Sequence, residues 1–316
     1  MRLPILLALV FAINAAAFAG ERTVTDDVGR AVTIPDEPKR IVVMHEPLLG
    51  VPLMDLGVSV VGGYGRTDDG KFVSIDFIDT VLGKGLPKPK GIGPFGQVDL
   101  ERLRALNPDL IIGMEIDVDK VAQLSTVAPV YLQKVSNGKT RGIRVEEELA
   151  QLLGRQQAFA ERMAVYRARL ETVRKVLPTD PTGKTYLAVF LTDQLNAVGD
   201  MSGAIQAIED LGYTPLKLPQ SSASGMGSTL LAPMNPEVFA RANPDLLIVM
   251  NTYIGARDEA GTRAALDRIV PGWDRFTKPV REGNVVFLDS SKVTTPTVAS
   301  ALHTLDAIEV WAKKRR

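Results

Sequence analysis

The chain has 316 residues, with 37 lysines and arginines balancing 37 aspartates and glutamates, no cysteine and only two histidines. The absence of cysteine excludes disulfides, thiolate catalysis, Cys-ligated zinc, iron–sulfur clusters and a cysteine-borne lipid anchor. Balanced charge leaves no basic footprint for nucleic acid, and a composition 45% hydrophobic and 23% charged belongs to a globular protein of about two domains.

In chain order, the first element is a leader. Arg2 supplies a positive start, Leu3 to Ile13 an apolar run, and Ala17-Phe18-Ala19 a small-x-small cleavage pattern. Residues 1–19 are therefore expected to be a signal peptide cut before Gly20, and an exported chain without disulfides suits a bacterial periplasm better than a eukaryotic secretory route. The apolar run is well short of the ~20 residues of a spanning helix, and no later run is long enough, so the chain is not expected to be membrane-embedded. Arg22 to Ile34 reads as a hairpin turning at Asp27-Val28-Gly29. Pro35-Asp36-Glu37-Pro38 then leads into a strand from Arg40 to Met44.

The most informative feature is an internal echo. The segment Val98–Met114, containing Asn107-Pro108-Asp109-Leu110, recurs 136 residues later as Met234–Met250, containing Asn243-Pro244-Asp245-Leu246, with seven of seventeen positions identical. In each copy a short amphipathic helix ends at Asn-Pro, because proline cannot continue it and restricts the residue before it. An apolar run of strand length follows, Leu110 to Met114 or Leu246 to Met250, suited to a parallel sheet covered on both faces. Two helix–strand units predict two similar α/β lobes.

Between the copies, apolar residues at three-four spacing from Val145 to Leu177, without proline, predict one long helix of roughly 50 Å. Pro178 to Gly183 ends it, Tyr186 to Thr192 reads as the first strand of the second lobe, and Pro296 to Lys314 as a closing helix. The expected division is an N-terminal lobe over 20–142, a linking helix over 143–178 and a C-terminal lobe over 179–316.

These residues together resemble a known family. Thr25-Asp26-Asp27-Val28-Gly29-Arg30 ahead of Pro38-Lys39-Arg40-Ile41-Val42-Val43, the paired Asn-Pro-Asp-Leu units, the long central helix, and Pro271-Gly272-Trp273-Asp274-Arg275-Phe276 leading to Val280–Phe287 follow in the order of the periplasmic substrate-binding proteins of iron–siderophore, haem and cobalamin ABC importers. The likeness spans nearly the whole chain after the leader. It implies an α/β fold of two Rossmann-like lobes with mainly parallel sheets, joined by one long helix. It further implies a receptor, not an enzyme, that binds a small-molecule ligand between the lobes, acts as a monomer, and docks on a membrane permease. The ligand implied is an Fe(III) chelate, with haem, cobalamin and citrate-type oxyanions as alternatives, and no resident cofactor or metal.

Ligands of open α/β sheets sit beyond the C-terminal ends of the strands. The predicted ends place His45, Glu46, Tyr64, Arg66, Met114, Glu115, Thr192, Asn251, Tyr253 and Ser290 at the site, with Phe95 reaching it from a loop. Tyrosines offer rings to a large ligand, and Arg66 offers a forked guanidinium to an anion. His45 beside Glu46 has, as its plainer reading, a structural hydrogen bond. Where catecholate binders of the family carry a basic residue, this chain has Glu115, which disfavours a triply anionic ferric catecholate. The family docks its permease through acidic residues on each lobe, for which Asp117 and Asp119 in the first lobe, and Glu209 near Gln206 in the second, are the matching candidates.

Gly91-Ile92-Gly93-Pro94-Phe95-Gly96 matches a dinucleotide fingerprint in letters, but no strand precedes it, so it reads as a loop. An exported α/β hydrolase is the rival class, and it lacks a Gly-x-Ser-x-Gly elbow. Two histidines also argue against a bare zinc or manganese site.

Overall fold

The computed structural model describes residues 20–67, 71–72, 75–94, 97–135, 142–200, 202–218 and 231–315. The leader and Phe95 lie outside the described residues. The predicted hairpin forms from β1 (Glu21–Thr25) and β2 (Ala31–Pro35), paired antiparallel.

The first lobe is built on β3 (Ile41–Val43), β4 (Val60–Gly63), β5 (Lys90–Gly91), β6 (Leu110–Met114) and β7 (Val130–Gln133), all parallel, in the order β5-β4-β3-β6-β7. The strands are apolar throughout because both faces are covered. Ile41, Val43, Leu110 and Ile112 pack with Leu53 of α1 (Val51–Asp55) and with Val145 and Leu149 of α4 (Arg144–Leu152). Val42, Met44, Ile111 and Val130 face the other way, onto Leu103 of α2 (Leu100–Ala105) and Leu124 of α3 (Val121–Leu124). Each fully buried leucine or isoleucine contributes about 1.5–3 kcal/mol relative to exposure.

The second lobe holds β8 (Thr185–Leu191), β9 (Leu195–Val198), β10 (Thr214–Pro215), β11 (Leu231–Pro233), β12 (Leu246–Asn251) and β13 (Val285–Leu288), in the order β11-β9-β8-β12-β13 with β10 beside β8. β9 runs antiparallel to β8 and β11, so this sheet is mixed. One face carries α5 (Gln156–Arg174), α6 (Gly203–Leu211) and the closing helix Val298–Lys313. The other packs Leu187, Val189 and Val249 against Phe239 of α7 (Pro236–Arg241) and Leu266 of α8 (Glu259–Ile269).

The internal echo is structural as well. Both helices and the starts of both strands repeat at the 136-residue offset: α2 with α7, β6 with β12. The aspartate of each Asn-Pro-Asp does the same task. Asp109 accepts the backbone N–H groups of Lys39 (2.7 Å) and Arg40 (2.9 Å) at the entry to β3. Asp245 accepts the N–H of Thr185 at the start of β8 (2.8 Å). Each pins the lobe's first strand beside the strand that follows the motif.

The linking segment corrects one expectation. The single helix predicted over 143–178 is two, α4 and α5, separated at Leu153-Gly154-Arg155. Gly154 has φ 67°, a left-handed turn that ends α4 and that a side chain would oppose. α4 belongs to the first lobe's core and α5 to the second's, and Phe159 packs against both.

Candidate functional site

In each sheet the strand order reverses at one place, between β3 and β6 in the first lobe and between β8 and β12 in the second. The crevice beyond the C-terminal ends at such switch points is where open α/β sheets hold ligands. His45 and Glu46, the 3-10 turn Glu115–Lys120, Thr192 to Gln194, and Asn251 to Arg257 follow these four strands.

After β3, Glu46 is fully buried and makes a forked pair with Arg66, Nε to Oε2 at 2.5 Å and Nη2 to Oε1 at 2.6 Å. Arg66 also reaches Asp76 Oδ2 at 3.2 Å, and Lys88 joins Asp76 (2.9 Å) to Asp79 (2.6 Å). Burial pushes the Glu46 carboxyl up, against the pull of Arg66. The guanidinium expected to meet an anionic ligand is therefore spent inside the protein, because two carboxylates close to it neutralise it. His45 accepts the N–H of Leu48 on Nδ1 (3.2 Å), capping the turn that follows, and burial pushes its pKa down to about 4. That is the structural role, with a neutral imidazole.

Tyr64 is 4% exposed and packs in the core beside β6, with the Lys120 ammonium 5.7 Å from its ring centre. Its ring belongs to the core and not to the crevice surface. Met114 is buried, and its N–H donates to Asp117 Oδ2 (3.0 Å). Asp117 is thus turned inward and bonded to Lys120 (2.6 Å), which removes it from the docking surface expected for it. Asp119 stays exposed. Glu115 Oε2 accepts the N–H of Val135 (3.0 Å), tying the turn to the end of β7.

In the second lobe, Thr192 is exposed in the β8–β9 turn, its Oγ1 accepting from Gln194 N and Asn196 Nδ2, each at 3.2 Å. Asn251 is buried and fixes the next loop, donating to the carbonyl of Ala256 (2.5 Å) and accepting from Thr252 N (2.9 Å). Tyr253 packs between Phe77 of the first lobe (ring centres 5.0 Å) and Phe190 of the second (5.2 Å), with its hydroxyl 3.1 Å from Thr294 Oγ1. It is a lobe-junction residue. Ser290 is fully buried just beyond the end of β13, its Oγ without a hydrogen-bond partner among the described residues. On α6, Gln206 donates to Asp210 (3.0 Å) and Glu209 accepts from Tyr186 Oη (3.0 Å).

Sequence reasoning missed the residues that join the lobes. Glu146 and Asp55 accept the first two N–H groups of the closing helix, from Val298 (2.6 Å) and Ala299 (3.0 Å), and Arg162 pairs with Asp55. His303 Nε2 donates to the Val81 carbonyl (2.9 Å) and Thr80 Oγ1 to that of Ser291 (2.9 Å). Buried acids at wide sequence separation leave no local pattern to read.

Gly91, the first glycine of the dinucleotide-like run, has a packing reason. A Cβ on Gly91 would lie 2.4 Å from the Arg66 carbonyl, so β5 approaches Arg66 only without a side chain. Among the described residues no group of three or more His, Cys, Asp or Glu side chains is arranged to hold a metal, and no helix is long and apolar enough to cross a membrane. A groove of about 610 Å³ runs along β13 and the closing helix, past Arg257, Asp289 and Trp311. Of the segments at the switch points it meets only Arg257, and it lies mainly along the edge strand β13, so the strand-end crevice is the better candidate.

Residues 72–292 match the family model described as periplasmic binding protein. The chain belongs to the periplasmic binding protein family. Among relatives of this binding protein is the ferric-anguibactin-binding protein FatB of Vibrio anguillarum, 22% identical over 243 residues, covering 74% of this chain and 73% of the relative. The same fold occurs in solved holo-ViuP, with a TM-score of 0.72 at 18% identity over 91% of this chain and 93% of that one. It also occurs in Staphylococcus aureus SirA complexed with staphyloferrin B, with a TM-score of 0.66 at 20% identity over 93% and 98%. These likenesses support the two-lobe α/β architecture expected from the sequence.

Proposed function

We propose that this periplasmic binding protein is a receptor for an iron chelate of the ferric-siderophore class, which it holds at the strand-end crevice and delivers to an ABC importer. The observation that carries the reading is a pair of switch points, one per lobe, in lobes held together by direct hydrogen bonds. Support comes from a relative named for ferric anguibactin and a structural neighbour complexed with staphyloferrin B. No side-chain constellation described above has the nucleophile–base geometry of a hydrolase, and the chelated iron is cargo.

In the same reading, exposed Asp119 presents the first lobe to the permease, and Glu209 with Gln206 marks the corresponding face of the second. The receptor works as a monomer, released by cleavage before Gly20. The test is fluorescence titration of the exported protein, whose two tryptophans, Trp273 and Trp311, both lie in the second lobe, with ferric siderophores, ferric citrate, haem and cobalamin. Submicromolar quenching by a ferric siderophore is expected. Binding of haem, cobalamin or ferric citrate alone, or turnover of an ester, overturns the assignment. N-terminal sequencing of the exported protein should begin at Gly20.

A further inference from the structure

We propose that the chelate carried here has an apolar, weakly charged outer surface, and that Val118 of the first lobe and Ile254 of the second are its contact residues. The inference rests on the receptor reading above and names the class of cargo within it.

The first observation is where apolar surface is left uncovered. Of the eight exposed large hydrophobic residues among the described ones, three fall in the two loops that follow β6 and β12: Ile116 (48% exposed), Val118 (47%) and Ile254 (84%). Exposed apolar residues scattered singly need no explanation. Clustering in the loops at the two switch points does, because open α/β sheets hold their ligands between the loops at such points.

The second observation is a correspondence between the lobes. Continued past Met114 and Met250, the 136-residue offset sets Val118 against Ile254. The two lobes thus present a β-branched aliphatic residue at the same place, four residues beyond equivalent methionines. Their loops are held firmly. Asp117 pins the first through Met114 N and Lys120, and Asn251 the second through Ala256 O and Thr252 N. Held backbones present these side chains without a further ordering cost.

The third observation is charge. In the segments after β3, β6, β8 and β12, the cations are Lys120 and Arg257. Lys120 is bonded to Asp117 (2.6 Å), and Arg257 to Asp289 (2.9 Å) and the Tyr253 carbonyl (2.6 Å). Arg66, after β4, is closed in by Glu46 and Asp76. The same segments expose Asp119 and Asp193. Held between these four segments, a triply anionic complex would meet Asp119 or Asp193 and, among their described residues, would find only cations that are already paired. A complex with aliphatic or neutral amide exterior meets Val118 and Ile254 at no such cost.

The test compares a neutral ferric trishydroxamate with a triply anionic ferric triscatecholate, titrated into the parent protein, Val118→Ser/Ile254→Ser, and the control Val165→Ser. Val165 is an exposed apolar residue on α5, outside the crevice loops. Circular dichroism melts confirm that all three fold. The expected result is at least about tenfold preference for the neutral complex, lost by about tenfold in the double variant and unchanged in the control. Tighter binding of the triscatecholate, or unchanged affinity of the double variant for the neutral complex, overturns this inference and leaves the receptor reading standing. If the parent protein binds neither of these complexes nor any other ferric siderophore, the receptor reading falls and this inference with it.

Discussion

The carboxylate of Glu146, in the first lobe, accepts the backbone N–H of Val298, the first residue of the second lobe's closing helix, at 2.6 Å. Burial, and then the neighbouring Asp55 carboxylate, hold the Glu146 carboxyl well above its ordinary value of 4.5. The folded protein therefore keeps a proton here that the unfolded chain releases. The stability from this proton is full below about pH 4.5 and is lost as pH rises through the raised value. Glu146→Gln retains an acceptor for Val298 and abolishes the titration. Thermal melts across about pH 5–8 should show the glutamine variant at least as stable as the parent and less sensitive to pH. Glu146→Ala removes the acceptor and should cost about 2–3 kcal/mol.

Arg66 and Glu46 are expected to matter for stability before they matter for ligand. Removing Arg66 strands the buried Glu46 carboxyl, whereas removing Glu46 leaves Arg66 with Asp76 alone, so Arg66→Ala should cost roughly 3–5 kcal/mol in urea unfolding and Glu46→Ala less. The double replacement Glu46→Leu with Arg66→Met should be less damaging than either single change, because no charge is then stranded. Equal or additive losses would mean that the pair is not acting as a unit.

Tyr253 makes two separable contributions. Tyr253→Phe removes only the hydrogen bond to Thr294 and should cost about 1 kcal/mol. Tyr253→Ala also removes the ring between Phe77 and Phe190 and should cost about 2–3 kcal/mol. A double-mutant cycle with Phe77→Ala should return a coupling of about 0.5–1.5 kcal/mol across the lobe junction.

His45 should titrate near pH 4 in the folded state, followed through its ring protons by NMR. With the folded pKa depressed from 6.5, the unfolded chain binds the proton first. This contribution is present at neutral pH and is lost as pH falls from 6.5 towards 4, opposite in sign to that of Glu146. His45→Gln should flatten the acid side of the stability profile, and a ring pKa near 6.5 would contradict the burial argument.

Much of the frame was legible because it is written locally. The Asn-Pro-Asp-Leu units and their apolar runs locate β6 and β12 to within a residue, and the closing helix matches its predicted span to within two. The break at Gly154 was hidden because Leu149, Leu152, Leu153 and Phe159 maintain a helical spacing through it. The site was harder. Strand ends named the right segments, but a side chain's role depends on partners far along the chain. Arg66 reads as a free guanidinium until Glu46, twenty residues earlier, folds against it. Tyr64 reads as a loop aromatic until Leu103 and Leu124 bury it. Val118 and Ile254 passed unnoticed for the opposite reason, since an aliphatic residue just beyond an apolar strand looks like more of the core.

The joint at the closing helix also sets an order of assembly. Its two capping contacts span 152 and 244 residues of chain, from Glu146 to Val298 and from Asp55 to Ala299. Contacts of such separation carry a high loop-closure cost and form late. Both sheets are completed by residues before Val298, and the seam that Tyr253 with Phe77 and Thr80 with Ser291 begin is completed by the last helix. Until that helix arrives, Asp55 and Glu146 lack their backbone N–H partners and the two halves are joined by fewer contacts. The first turn of the closing helix acts as a late fastener between two nearly finished halves.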